Sequence, residues 1–279
     1  MPRVKIKNNI NLYYEEYGQG DPIVFVAGFT ADHSAWDAVA KICAAKYRVI
    51  VFDNRGVGQS DCPDFPYTAE LLADDVKALC EVLGIKQAYF VGNSMGGQIV
   101  MALAHRHPAL IKAIVISNAV MKSGSFLVRY QVLLEAHLAL IRLSNAQKEF
   151  STKAREIFAR TNLGWIFSSD FLNRPGMIEQ QIKWAIENKY PITESGFINQ
   201  MNVFKLFDAS AWLHEVYCPS LVVASEKDGI LPPEEVRAIA QIIPDAQYFS
   251  FVGEIGHLPH VEQPDEFARL IFDFIATLS

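Results

Sequence analysis

The stretch Tyr89-Phe90-Val91-Gly92-Asn93-Ser94-Met95-Gly96 decides the reading of this sequence. Three apolar, β-prone residues run into a serine flanked by glycines, and a helical pattern then extends from Met95 to His107, stopped by Pro108. A Gly-x-Ser-x-Gly turn between a strand and a helix lifts a serine hydroxyl above a sheet. The glycines leave room where the chain crosses itself, and the serine takes strained backbone angles. The start of the helix also brings backbone N–H groups beside that oxygen, where they can stabilise negative charge. Glycine and serine are common residues, so the motif gains its meaning from this setting.

On either side of the elbow, Ile23 to Val26, Tyr47 to Phe52, Ala88 to Val91, Ala113 to Ser117 and Leu221 to Ala224 are compact apolar runs. They are too continuous for strands with one wet face and suit a parallel sheet covered on both sides. Helical patterns lie between them, such as Ala69 to Leu83 with Gly84 where a C-cap belongs. Val4 to Lys7 and Leu12 to Tyr17, separated by Asn8-Asn9, read as an antiparallel hairpin. The expected fold class is α/β, a doubly wound and mostly parallel sheet with an N-terminal hairpin. Ligands in such sheets bind at the carboxyl ends of the strands.

The alternation breaks between about Met121 and Ser210, where roughly 90 residues read as helices rich in aromatics. The expected division is an α/β core of residues 1–120 and 211–279 with a helical cap at 121–210. This segment carries eleven Lys/Arg against eight Asp/Glu, or +3, and the remainder fourteen against twenty-three, or −9, which sum to the formal −6. Phe126, Tyr130, Trp165, Phe167, Trp184 and Phe204 are the candidate substrate-pocket residues, although aromatics at helical spacing also serve simply as core.

A serine hydroxyl is a poor nucleophile at neutral pH and needs a base, for which imidazole is best tuned. Of the seven histidines, His257 follows the last apolar strand pattern, Phe249 to Val252, in the loop Gly256-His257-Leu258-Pro259, with His260 as its nearest rival. The carboxylate that orients such a histidine belongs at a strand end. Asp228, in Ser225-Glu226-Lys227-Asp228-Gly229 after Leu221 to Ala224, fits, and Glu226 reads as a surface acid. The expected triad is therefore Ser94, Asp228 and His257, in the chain order Ser, Asp, His.

Val24 to Gly28, Asp53-Asn54-Arg55-Gly56-Val57-Gly58-Gln59-Ser60, Gly92 to Gly96, Asp228 to Pro232 and Gly256-His257-Leu258-Pro259 with Glu262 and Pro264 resemble the α/β-hydrolase superfamily. The resemblance runs from the first strands to the last helix and omits the cap. It implies an oxyanion hole from the backbone N–H groups of Phe29 and Met95, and a structural rather than catalytic role for Asp53 to Ser60. It also implies esterase or enol-lactonase chemistry through an acyl-enzyme, with no cofactor. Ala27 stands where many members have His, and Asn93 where His or Trp is common. The Gly92-Asn93-Ser94-Met95-Gly96-Gly97 form resembles hydrolases that cleave carbon–carbon bonds of ring-fission products, but those carry Trp after the catalytic His, where this chain has Leu258.

With 51% hydrophobic and 20% charged residues, the composition supports a large buried core. The net charge of −6 argues against nucleic acid, which needs clustered cations. Cys43, Cys62, Cys80 and Cys218 follow no metal-ligand or disulfide pattern, so no metal site is expected. The start, Met1-Pro2-Arg3-Val4-Lys5, lacks a signal-peptide pattern, and no apolar run approaches the roughly 18 residues of a membrane span, which predicts a cytoplasmic protein. The expected partner is a small-molecule ester. Arg142, Lys148, Lys153, Arg155 and Arg160 offer a second possibility, attraction of an acidic acyl carrier protein, against the plainer reading of a solvated helix face. A small-molecule receptor of the same fold is the non-enzyme alternative.

Overall fold

The structure is a computed structural model and describes residues 3–7, 9–124, 127–147 and 151–278. Its strands are β1 (Arg3–Lys5), β2 (Asn11–Tyr17), β3 (Pro22–Val26), β4 (Arg48–Phe52), β5 (Ala88–Asn93), β6 (Ile111–Ser117), β7 (Ser220–Ser225) and β8 (Gln247–Phe251). They form one sheet in the order β1-β2-β4-β3-β5-β6-β7-β8. The hairpin pairs antiparallel, with Val4 opposite Leu12, and β2 joins β4 antiparallel. From β4 to β8 every pairing is parallel.

The reason for the continuous apolar runs is visible in the core. Alternate residues of each strand point to opposite faces, and both faces are covered. Val24, Val26, Ile50 and Phe90 pack on one side, against α2 (Ala69–Val82) and α3 (Met95–Arg106). Ile23, Phe25, Val49 and Val91 pack on the other, against α1 (Asp37–Cys43) and the last helix (Pro264–Ala276). Each fully buried Val, Ile or Phe contributes roughly 1.5–3 kcal/mol. Local signals set the ends: Thr68 accepts the Leu71 N–H at the start of α2, and Gly84, at φ 68°, ends it. There Ile85 N–H reaches Cys80 O at 2.8 Å, closing the αL turn that glycine tolerates.

Between β6 and β7 the described residues form helices α4 (Val128–Ala146), α5 (Ser151–Ile166), α6 (Ser169–Leu172), α7 (Met177–Glu187) and α8 (Glu194–Leu206). The two ends of this segment meet, because Lys122 bridges Asp208 and Ala209 N–H donates to Met121 O at 2.8 Å. After β7 follow α9 (Pro233–Ile242), then β8, α10 (Pro259–Glu262) and α11 (Pro264–Ala276). In the loop after β4, Arg55 is fully buried and makes a two-pronged ion pair with Asp75 at 2.5 and 2.6 Å. No helix among the described residues is long and apolar enough to cross a membrane.

Candidate active site

Ser94 closes β5 and caps α3 with φ 58° and ψ −123°, angles that a non-glycine residue adopts only when its surroundings hold it there. Two contacts explain that hold. A Cβ on Gly92 would strike the Gly96 carbonyl, and a Cβ on Gly96 would strike the Val26 carbonyl of the neighbouring strand. The crossing of strand and helix is therefore closer than any side chain allows. Ser94 N–H is tied to Ser117 O on β6 at 2.9 Å.

The other partners converge from the far end of the chain. Asp228 follows β7, and its Oδ1 accepts the N–H groups of Ile230 and Leu231 at 2.8 and 2.9 Å. Its Oδ2 lies 2.7 Å from His257 Nδ1, and both side chains are almost fully buried. His257 and Ser94 line one cavity of about 440 Å³, together with Phe29 and Met95. No hydrogen bond joins Ser94 to His257 among the described residues. Among the same residues the N–H groups of Phe29 and Met95 have no partner, while the next amide, Thr30 N–H, is taken by Gln200 Oε1 at 3.0 Å.

The remaining histidines are engaged elsewhere. His33 hydrogen-bonds Asp53 at 2.7 Å, and His107 bonds Asp74 at 2.7 Å. His105 stacks on Trp212, and His137 stacks on Phe158. His214 is paired loosely with Glu215 at the surface. His260 borders the cavity but stacks on Trp36, and burial, reinforced by nearby His257, pushes its pKa down to about 3. Glu226 does stand at the surface, accepting Gly253 N–H at 3.1 Å.

Of the aromatic candidates, Tyr130, Phe167, Trp184 and Phe204 line the cavity. Trp165 is not among its walls; its ring packs 5.8 Å from that of Tyr130 and beneath Arg129. Phe126 lies outside the described residues, as does Lys148. Helical spacing gives no sign of Phe158, Leu163 or Asn162, all from α5, which complete the wall.

Two positioning residues are not singled out by sequence reasoning. Gln200 on α8, wholly buried, accepts Thr30 N–H and donates to Arg55 O at 3.0 Å, so it pins the loop carrying Phe29. Glu262, buried in α10, accepts Gly256 N–H at 3.1 Å, Ser168 N–H at 2.9 Å and the Ser168 hydroxyl at 2.5 Å. It thereby holds the His257 loop against the end of α5, where Ile166 O also accepts His257 N–H at 2.9 Å. Burial raises the Glu262 carboxyl pKa against the opposing pull of these donors. The short motif containing Glu262 is the one local hint of it, and Gln200 has none.

A parallel sheet ending in a serine elbow, with a buried acid–histidine pair at the carboxyl ends of its strands, defines the α/β-hydrolase architecture. The chain belongs to that family: the α/β hydrolase fold profile matches residues 21–264. Among solved structures it is similar to a thermophilic esterase from Thermogutta terrifontis, 26% identical with a TM-score of 0.83, covering 100% of this chain and 99% of that one. It is equally similar to the enol-lactonase from Burkholderia xenovorans LB400, 25% identical with a TM-score of 0.83, covering 99% and 100%. Pyrrolizixenacetamide deacetylase from Xenorhabdus hominickii is 26% identical over 278 residues, covering 99% of this chain and 98% of the relative.

Proposed function

We propose that this chain is a serine hydrolase that cleaves a carboxylic ester, lactone or thioester through an acyl-enzyme on Ser94. The observation that carries the reading is the buried His257–Asp228 contact of 2.7 Å, with its imidazole on the same cavity as Ser94. The similarity to an esterase and an enol-lactonase supports the same reaction class.

In this reading ionised Asp228 can only accept, so it keeps the proton on His257 Nδ1 and leaves the Nε2 lone pair as base. Ser94 Oγ attacks the carbonyl carbon while Nε2 takes its proton. The oxyanion sits on the N–H groups of Phe29 and Met95, each worth about 3 kcal/mol in the transition state. Collapse breaks the carbon–oxygen bond and His257 returns the proton to the leaving oxygen. Water then repeats the sequence on the acyl-enzyme and frees Ser94. The contact between Ser94 and His257 closes when substrate fills the cavity, as is common for such pairs. A serine nucleophile also sets the chain apart from members of this fold that form an alkyl ester on Asp.

Residues 121–210 are read as a cap over a core of 1–120 and 211–279. Support comes from the meeting of the segment's two ends and from the cavity walls supplied by α4, α5, α7 and α8. The substrate is read as a small molecule. An acidic carrier protein draws no support from the described cations, because Arg142 pairs with Glu194, Lys153 and Arg160 pair with Glu156, and Arg155 donates to Asn188 O.

An active-site-directed fluorophosphonate probe tests the reading. Labelling of the native protein that disappears in Ser94→Ala supports it, and a folded native protein that is never labelled points to a binding protein of the same fold. A panel of acyl esters, lactones and vinylogous diketones separates ester from carbon–carbon cleavage.

A further inference from the structure

We propose that the cavity at Ser94 selects uncharged substrates, and that Asn162, seated by Tyr130, binds a neutral hydrogen-bond acceptor on them. This rests on the serine-hydrolase reading and narrows it to a substrate class.

Among the described residues that line the cavity there is no Lys and no Arg, and Asp37 is the sole carboxylate. Two imidazoles reach it, but His257 is committed to Asp228. His260 is held neutral by its burial and by its neighbour His257. Arg129, on the helix that carries Tyr130, lies over Trp165, which is outside the wall. A carboxylate entering this space gives up its hydration and meets no opposite charge, which is among the costliest burials a protein can make. A neutral ester gives up far less.

Burial and the nearby Asp228 carboxylate keep the Tyr130 phenol protonated, so its hydroxyl is a donor. It donates to Asn162 Oδ1 at 3.3 Å, which turns the carboxamide oxygen toward Tyr130. The amide N–H₂ of Asn162 then has no acceptor among the described residues, and both side chains line the cavity. An unclaimed, neutral donor in an apolar chamber matches a carbonyl, ether or hydroxyl oxygen on the substrate.

The test uses three p-nitrophenyl esters with one leaving group and similar length: hydrogen adipate, methyl adipate and octanoate. For the native protein at pH 8, kcat/KM for methyl adipate is expected to exceed that for hydrogen adipate by about 100-fold. In Asn162→Leu the ratio of methyl adipate to octanoate should fall about fivefold, chiefly through KM, which is the effect of one neutral hydrogen bond. Hydrogen adipate turned over within threefold of its methyl ester would overturn the charge argument. An unchanged methyl adipate to octanoate ratio in Asn162→Leu would overturn the role of Asn162. Fluorophosphonate labelling of the same samples keeps the two levels apart: a labelled Ser94 with no neutral preference removes this inference alone. Absence of both labelling and turnover of all three esters removes the serine-hydrolase reading with it.

Discussion

Replacing Asp228 by Asn leaves shape and volume nearly unchanged, so its effect isolates the hydrogen-bond polarity of the site. Oδ1 of Asp228 accepts two backbone N–H groups, from Ile230 and Leu231, and Oδ2 faces His257 Nδ1. In Asp228→Asn the amide has one acceptor and one donor end. With its oxygen kept on the two backbone donors, the N–H₂ faces Nδ1, which must then accept. The imidazole proton moves to Nε2, and the base needed by Ser94 is lost. Turning the amide around restores the tautomer but sets N–H₂ against two buried N–H groups, at about 1.5–3 kcal/mol for each lost bond. Together that is about 3–6 kcal/mol, or roughly 10²–10⁴ in kcat/KM, and the tautomer route has a similar scale. The assay is kcat/KM on p-nitrophenyl butyrate, with circular dichroism and melting to confirm that the variant is folded. A folded Asp228→Asn variant within tenfold of the native rate would refute the assignment of Asp228 as the orienting acid.

Gln200→Leu strands two buried backbone groups, Thr30 N–H and Arg55 O, so urea denaturation should show a loss of about 2–5 kcal/mol, with a fall in kcat as the Phe29 loop loosens; unchanged stability and kcat together would count against a positioning role. Gly96→Ala places a methyl group against the Val26 carbonyl and should abolish Ser94 labelling, whether by displacing the elbow or by unfolding, so a fully labelled variant would contradict the described crossing. His260 has a folded pKa depressed to about 3. The unfolded chain therefore takes up this proton near pH 6.5 while the folded one does not, so stability falls as the pH is lowered from 6.5 towards 3, by about 1.4 kcal/mol per unit. In His260→Phe that component disappears, so denaturation at pH 6.5 and 5 should show a pH dependence shallower by roughly 2 kcal/mol than in the native protein. Equal slopes would show that His260 is not buried in its neutral form.

The sheet and the elbow are legible in the residue order because local covalent facts dictate them. Apolar runs such as Ile23 to Val26 suit a doubly covered strand, and Gly92 and Gly96 flank a turn in which a Cβ at either position would strike a carbonyl. The order of Ser94, Asp228 and His257 along the chain is equally plain, since each stands just beyond a strand pattern, and parallel strands deliver their carboxyl ends to one edge. The cavity wall is not legible in this way. Helices α4 and α5 carry large apolar groups around much of their circumference, so spacing alone does not tell which ring faces inward. Trp165 and Phe167 are two residues apart, yet only Phe167 reaches the cavity.

By itself the sequence determined a parallel α/β sheet and a serine at its strand-to-helix elbow, because both follow from sterics within a few residues. Tertiary structure alone decided that Gln200 holds the loop at Phe29, that Glu262 ties the His257 loop to Ser168, and that Asn162 meets Tyr130 at an uncharged cavity. The bonds from Tyr130 to Asn162, Ser168 to Glu262 and Thr30 to Gln200 span 32, 94 and 170 positions. Hydrogen bonds at that separation depend on how whole elements pack rather than on any local pattern.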